Sequence, residues 1–85
     1  MKVRFDSGEE GEAKSFEAGI LTMLSPRAFA PGSPIRFAVD QGRGEHPLEG
    51  RALGSKRVDG RRFEVRMRFV NLRRDDREFL LRELA

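Results

Sequence analysis

The residues of this sequence best suited to chemistry are arginines that alternate with apolar residues. Arg62, Arg66 and Arg68 fall on one side of such a stretch, and we expect Arg36, from a similar stretch earlier in the chain, to join them on a neighbouring strand. Arginine carries a planar fork of donors that binds a phosphate or a carboxylate bidentately and stacks on flat rings. The pattern predicts a face that binds either a phosphorylated ligand or the acidic side chains of another protein. A solvated strand face without a partner would give the same pattern.

Groups suited to catalysis or metal binding are sparse. His46 is the one histidine and the chain has no cysteine, so a zinc site would lack the three or four ligands it normally needs. Glu9, Glu10 and Glu12 lie in a polar segment that predicts exposure, whereas a catalytic carboxylate needs a buried partner that shifts its pKa. The serines lack a nucleophile-elbow context. We therefore expect a protein that is not an enzyme and that uses no metal or cofactor.

Strands must position the arginines, because the residues between them are apolar. Over residues 61–70 the apolar side chains that share one face are Phe63, Val65, Met67 and Phe69. Related patterns predict strands over residues 2–5, 12–17, 20–24, 35–39 and 48–58. Residues 73–84 contain no glycine or proline, and acidic residues in their first turn suit the helix dipole, so they predict a helix.

Turn residues separate these elements. Ala18-Gly19 ends the second strand, Pro31-Gly32 has the residues of a type II turn, and Asp59-Gly60 predicts a hairpin. Residues 40–47 predict a loop, and Gly50 and Gly54 predict bulges. The fold class expected is mainly β: a strongly bent sheet or small barrel of six strands, closed by a C-terminal helix, since a short flat sheet would leave its edges unprotected.

Length and composition bound the molecule further. The 85 residues predict a single domain over 1–85, and the 17 basic and 14 acidic residues give a net charge of +3. The N-terminus has no apolar run that would indicate a secretory signal. The longest apolar run, residues 20–24, is far shorter than the ~20 residues that span a bilayer. We expect a cytoplasmic protein without membrane insertion, which the absence of cysteine also suits.

Several segments in this order resemble the PilZ domain family, in particular its short Myxobacterial-type branch. The segments are Ala18-Gly19-Ile20-Leu21, Phe29-Ala30-Pro31-Gly32-Ser33-Pro34-Ile35, Leu48-Glu49-Gly50-Arg51-Ala52-Leu53 and Val65-Arg66-Met67-Arg68-Phe69-Val70-Asn71-Leu72. The resemblance spans nearly the whole chain. It implies a six-stranded barrel with a C-terminal helix, in agreement with the strand count reached from the residues.

Family members that bind cyclic di-GMP use two motifs, and this chain departs from both. The motif D/N-x-S-x-x-G aligns with residues 14–19, where Gly19 is kept but Lys14 replaces the acidic or amide residue and Phe16 replaces the serine. The motif R-x-x-x-R is not present around Arg4, because the residue four positions later is Gly8 rather than an arginine. We also expect no leader ahead of the first strand. The resemblance therefore predicts that cyclic di-GMP does not bind by the usual route.

The expected function is that of a non-catalytic, PilZ-like module that binds another protein. The resemblance implies a role in bacterial motility, protein localisation or polysaccharide regulation. The candidate surfaces are the arginine row, the Pro26–Pro34 loop and the exposed face of the helix. An alternative is a receptor for cyclic di-GMP or another phosphorylated ligand that uses Arg36, Arg66 or Arg68. Nucleic-acid binding is less favoured, because the strand phenylalanines alternate onto the core face and leave no aromatic residue for stacking.

Overall fold

Short alternating segments of this chain become the strands of one sheet in the computed structural model, which describes residues 1–40, 42 and 44–84. The strands are β1 (Lys2–Phe5), β2 (Glu10–Glu17), β3 (Ile20–Ser25), β4 (Pro34–Asp40), β5 (Glu45–Arg57) and β6 (Phe63–Phe69), and the helix is α1 (Arg74–Leu84). The helix begins one residue later than predicted, and the strands differ from the predicted ranges by a few residues at their ends.

The strands close into an antiparallel barrel in the order β1-β2-β3-β6-β5-β4. β4 pairs with β1 on one side and with β5 on the other, so the sheet has no free edge within the described residues. Closure protects backbone groups that an open sheet of this size would expose. The expected fold class, a six-stranded antiparallel barrel with a C-terminal helix, is confirmed.

The core fills the barrel with one face of every strand. Leu21, Met23, Ile35, Val65 and Met67 are fully buried. Phenylalanine rings stack along the same interior, with Phe5, Phe29, Phe37, Phe16 and Phe69 linked by tilted or edge-to-face contacts of 5.5–6.4 Å. Since burial of one such side chain contributes about 1.5–3 kcal/mol, this alternation is what holds the barrel together.

The turns follow the chemistry of their residues. Ala18 and Gly19 both have positive φ, 53° and 79°, as the two-residue hairpin turn between β2 and β3 requires. At Pro31-Gly32, the amide of Ser33 donates to the carbonyl oxygen of Ala30 at 3.0 Å and Gly32 has a φ of 85°, which confirms the predicted type II turn. The Ser55 hydroxyl fixes the loop before this turn, because it bonds both the amide and the carbonyl of Phe29 at 2.7 Å.

Two predictions for the long strand β5 were wrong. Glu45, His46 and Pro47 belong to the strand rather than to a loop, because they continue the pairing with β4. Of the predicted loop, positions 41 and 43 lie outside the described residues. Gly50 is not a bulge, since its register with β4 and β6 is regular; the bulge of β5 lies between Ala52 and Gly54.

The helix packs across the barrel against β2. Leu80 is fully buried, and the guanidinium of Arg77 lies 5.9 Å from the ring centre of Phe16. Asp76, in the first turn, is buried and has its carboxylate 3.6 Å from Nδ1 of His46. Among the described residues, no helix is long and apolar enough to cross a membrane.

Candidate functional site

Two of the four predicted arginines lie together on the outer face of β6. Arg66 and Arg68 are exposed, whereas their neighbours Val65 and Met67 are fully buried in the barrel. The alternation of β6 therefore sends the arginines outward, as the sequence predicted. Their facing residues on β3 are uncharged: Thr22 lies opposite Arg66 and Ile20 lies opposite Arg68.

A third arginine, not predicted, joins them from β5. Arg51 is the register partner of Arg68, so two cations face each other directly across β5 and β6. The guanidinium of Arg51 donates from Nη1 to the carbonyl oxygen of Gly32 at 2.9 Å. Sequence reasoning missed Arg51 because pairing across strands depends on register, and nothing local to residue 51 encodes it. We call Arg51, Arg66 and Arg68 the basic face.

The basic face lacks internal charge compensation. Within the described part of the chain, none of its three arginines makes an ion pair. The nearest acids along the two strands are Glu64, which faces Lys56 on β5, and Glu49, which lies 3.6 Å from Nε of Arg36 on β4. Like charges that face each other across a sheet destabilise it. An anion bound between these side chains would therefore reduce the repulsion between them.

Arg62 does not belong to this face. It precedes β6 in the turn after β5, and its Nε donates to Oδ2 of Asp59 at 2.9 Å. The pKa of the Asp59 carboxyl is lowered, first because the backbone N–H of Arg61 donates to it and then because Arg62 does. Arg62 thus stabilises the turn between β5 and β6. Of the three arginines predicted to form a row on one strand, only Arg66 and Arg68 lie on β6.

Arg36 does not adjoin Arg66 and Arg68, because its strand is not the neighbour of β6. It is on β4, which β5 separates from β6, and its Nε lies 3.6 Å from Oε2 of the facing Glu49. The expectation that Arg36 stands on a strand beside the arginine row was therefore wrong. Its position follows from the strand order of the closed barrel, which local patterns do not reveal.

Arg36 instead borders a broad groove. This groove has a volume of about 670 Å³ and runs over the outer face of β1, β4 and β5. Ala38 and Pro47 provide small or apolar surface, while Arg4 and Arg36 stand at its rim. Arg4 forms an ion pair with Glu45, so both rim cations already have a carboxylate partner.

The residues aligned with the family motif have structural roles. Phe16 is buried and contacts Phe69 edge-to-face at 5.7 Å, and Gly19 completes the β2–β3 turn. Lys14 is the extra residue of a bulge in β2, where the register shifts between Ala13 and Ser15. Its ammonium lies 2.9 Å from Oε2 of Glu12, and this contact lowers the pKa of the Glu12 carboxyl. Phe16 in particular fills the core and presents no polar group to a ligand.

The arrangement can bind an anion through charge and hydrogen bonds. Among the residues described, no group of three or more His, Asp or Glu side chains could hold a metal ion. Comparisons of the chain with protein-family models, with curated proteins and with solved structures give no match. The barrel is therefore established by the structure, while the resemblance to PilZ domains stays a prediction.

Proposed function

We propose that this domain is a non-catalytic, PilZ-like interaction module whose basic face binds an acidic segment of another protein. One observation carries the proposal: Arg51 and Arg68 face each other across two strands, beside Arg66, and none of the three has an ion-pair partner among the described residues. By the family resemblance, the process served would be bacterial motility, protein localisation or polysaccharide regulation.

The rest of the barrel surface supports this interpretation by contrast. On β4 and β5, Arg36 faces Glu49 at 3.6 Å, and Arg4 pairs with Glu45. A surface that only needs solubility does well with mixed charges of this kind. The basic face differs, because Arg51 and Arg68 are like charges at directly facing positions, and like charges at facing positions destabilise a sheet.

An acidic protein segment suits this face better than a nucleic acid. Single-stranded nucleic acids bind to sheets through exposed aromatic rings as well as through cations. The residues that face the arginines from β3 are Ile20 and Thr22, and the ring of Phe69 is turned toward Phe16 and Phe37 inside the barrel. Carboxylates need only the forked donors that arginine supplies.

The test uses an acidic probe and a matched pair of variants. A synthetic hexa-glutamate peptide is titrated into the ¹⁵N-labelled domain, and we expect amide shifts at Arg51, Arg66 and Arg68. The double variant R66A/R68A should weaken binding at least about tenfold, since hydrogen bonds to charged groups contribute about 1.5–3 kcal/mol each.

The control removes the same charge elsewhere. Arg73 and Arg74 are exposed and precede or begin α1, outside the two strands that carry the basic face. The variant R73A/R74A should keep the wild-type affinity. If it loses as much affinity as R66A/R68A, the peptide is responding to net charge alone and the proposal is wrong.

A second candidate function is favoured by the groove beside Arg36. Its volume of about 670 Å³ falls within the roughly 300–1,000 Å³ range of small-ligand sites, and Arg4 and Arg36 could grip phosphates at its rim. This function is a receptor for cyclic di-GMP or another phosphorylated ligand at a non-standard site. Calorimetry with cyclic di-GMP separates the two: micromolar binding that R36A abolishes and R66A/R68A leaves intact would favour the receptor over the protein-interaction module.

A further inference from the structure

A second feature of the same surface is a bulge in β5 beside the basic face. Ala52 faces Met67 and Gly54 faces Arg66, so two steps along β5 correspond to one step along β6. Leu53 is the extra residue and has no partner in the ladder. Its side chain is 39% exposed, one of the few large apolar side chains so exposed on this domain.

Neither the backbone nor packing requires a glycine at position 54. Its φ lies outside the left-handed region that favours glycine, and a Cβ atom there would meet nothing within 4 Å. Gly50, four residues earlier on the same strand, is the opposite case, because its Cβ would overlap the carbonyl oxygen of Arg68 and the methyl group of Met67. Glycine within a strand destabilises the fold relative to alanine. Gly54 therefore lowers the stability of the barrel, and no close contact within the barrel requires it.

The missing side chain leaves a depression of about 330 Å³ on the outer surface, lined by Leu53, Gly54, Ser55, Lys56, Glu64 and Arg66. Its lining thus combines an apolar residue, Leu53, with a cationic one, Arg66. An aromatic ring suits both, since it buries apolar surface against Leu53 and attracts the cation of Arg66. Lys56 and Arg66 outweigh the single acid, Glu64, so the surroundings favour a negatively charged segment.

We propose that the depression at Gly54 receives an aromatic side chain from the acidic partner segment, whose flanking carboxylates bind Arg66 and the rest of the basic face. This inference rests on the proposed function and defines its partner further: an acidic sequence with a phenylalanine or tyrosine at its centre. Gly54 acts here as a specificity-determining position, because any larger residue would occupy the space of the ring.

The experiment compares two fluorescein-labelled peptides, Asp-Glu-Phe-Glu-Asp and Asp-Glu-Ala-Glu-Asp, by fluorescence anisotropy. The wild-type domain should bind the phenylalanine peptide about tenfold or more tightly than the alanine peptide, because burial of one large apolar side chain has about that effect. The variant G54V should bind both peptides alike, at the affinity of the alanine peptide. The variant R66A should weaken both.

A matched glycine provides the control. At Gly60, in the β5–β6 turn, a Cβ would also meet nothing within 4 Å and φ is again outside the left-handed region. G60V should keep the preference for phenylalanine. Thermal melts should show G54A and G54V folded, and in the wild type the amide signals of Leu53 and Gly54 should shift with the phenylalanine peptide more than with the alanine peptide.

The outcomes separate the two proposals. If both peptides bind equally to the wild type, or if G54V keeps the preference, the aromatic site is refuted while the acidic interaction surface stands. If neither peptide binds, the proposed function is itself refuted, and the aromatic site with it.

Discussion

Reversing the charge at position 68 should make the free domain more stable and a worse binder. Arg68 faces Arg51 across β5 and β6, so Arg68→Glu replaces a facing pair of like charges with a pair of opposite charges. Facing pairs contribute roughly 0.2–1 kcal/mol in either direction. The guanidinium of Arg51 is already turned toward the carbonyl oxygen of Gly32, at 2.9 Å, which moderates the repulsion. We therefore expect a gain of about 0.5–1 kcal/mol in the free energy of unfolding.

For a domain of this size, that gain corresponds to a rise in Tm of roughly 2–8 °C. The assay is thermal unfolding followed by circular dichroism at low salt, repeated at 1 M NaCl. The Debye length falls to about 3 Å at 1 M, so most of the difference between the variant and the wild type should disappear. In the same preparation, binding of the hexa-glutamate peptide should weaken at least about tenfold.

A matched reversal at the facing pair of β4 and β5 should act in the opposite direction. Arg36 faces Glu49 with 3.6 Å between the charged groups, so Arg36→Glu creates a facing pair of like charges and should lower Tm. Our account of the basic face is refuted if Arg68→Glu lowers the low-salt Tm, or if the two reversals change it in the same direction. Either result would remove the observation on which the proposed function depends.

Three further measurements test how individual residues hold the barrel. Gly50→Ala should lower the free energy of unfolding in urea by about 1–3 kcal/mol, because its Cβ would overlap the Arg68 carbonyl oxygen and Met67; an unchanged midpoint would contradict this close packing. Ala18→Asn should raise stability by about 0.5–1 kcal/mol, since φ at this position is 53° and asparagine adopts that conformation more readily; a drop in Tm would be the contrary result. The pKa of the Asp59 carboxyl should lie below its ordinary value of 3.8 in an NMR titration. The stabilisation that the ionised Asp59 carboxyl gives the folded state is then present above that value, and it is lost as pH falls through the lowered pKa. Arg62→Ala should raise this pKa only in part, because the backbone N–H of Arg61 is the larger cause; full recovery of 3.8 would contradict that order.

The sequence was sufficient for the strands and for several turns, because these depend on neighbouring residues. The alternation around Val65 and Met67 predicted β6 and its outward arginines, and Pro31-Gly32 predicted its turn. Both signals are local: side chains alternate with a period of two along a strand, and glycine permits positive φ.

The composition of the site was less predictable, because it depends on which strands pair and in what register. Arg36 was expected beside the arginine row, yet closure of the barrel places β5 between β4 and β6. Arg51 went unnoticed because only the register of β5 on β6 brings it opposite Arg68. Both are long-range properties of the sheet, and one residue of slippage would change every such pair.

The two glycines of β5 show how a position can be assigned to the fold or to function. Packing inside the barrel requires glycine at position 50, since any Cβ there would overlap the backbone of β6. At Gly54 a Cβ would meet nothing within 4 Å, and Leu53, the extra residue of the same bulge, is 39% exposed. These two residues are adjacent, and they open onto Arg66, whose charge has no ion-pair partner within the described residues. The bulge with its exposed Leu53, the open space at Gly54 and the unpaired charge of Arg66 meet at one spot on the surface, and a partner that uses all three accounts for them together.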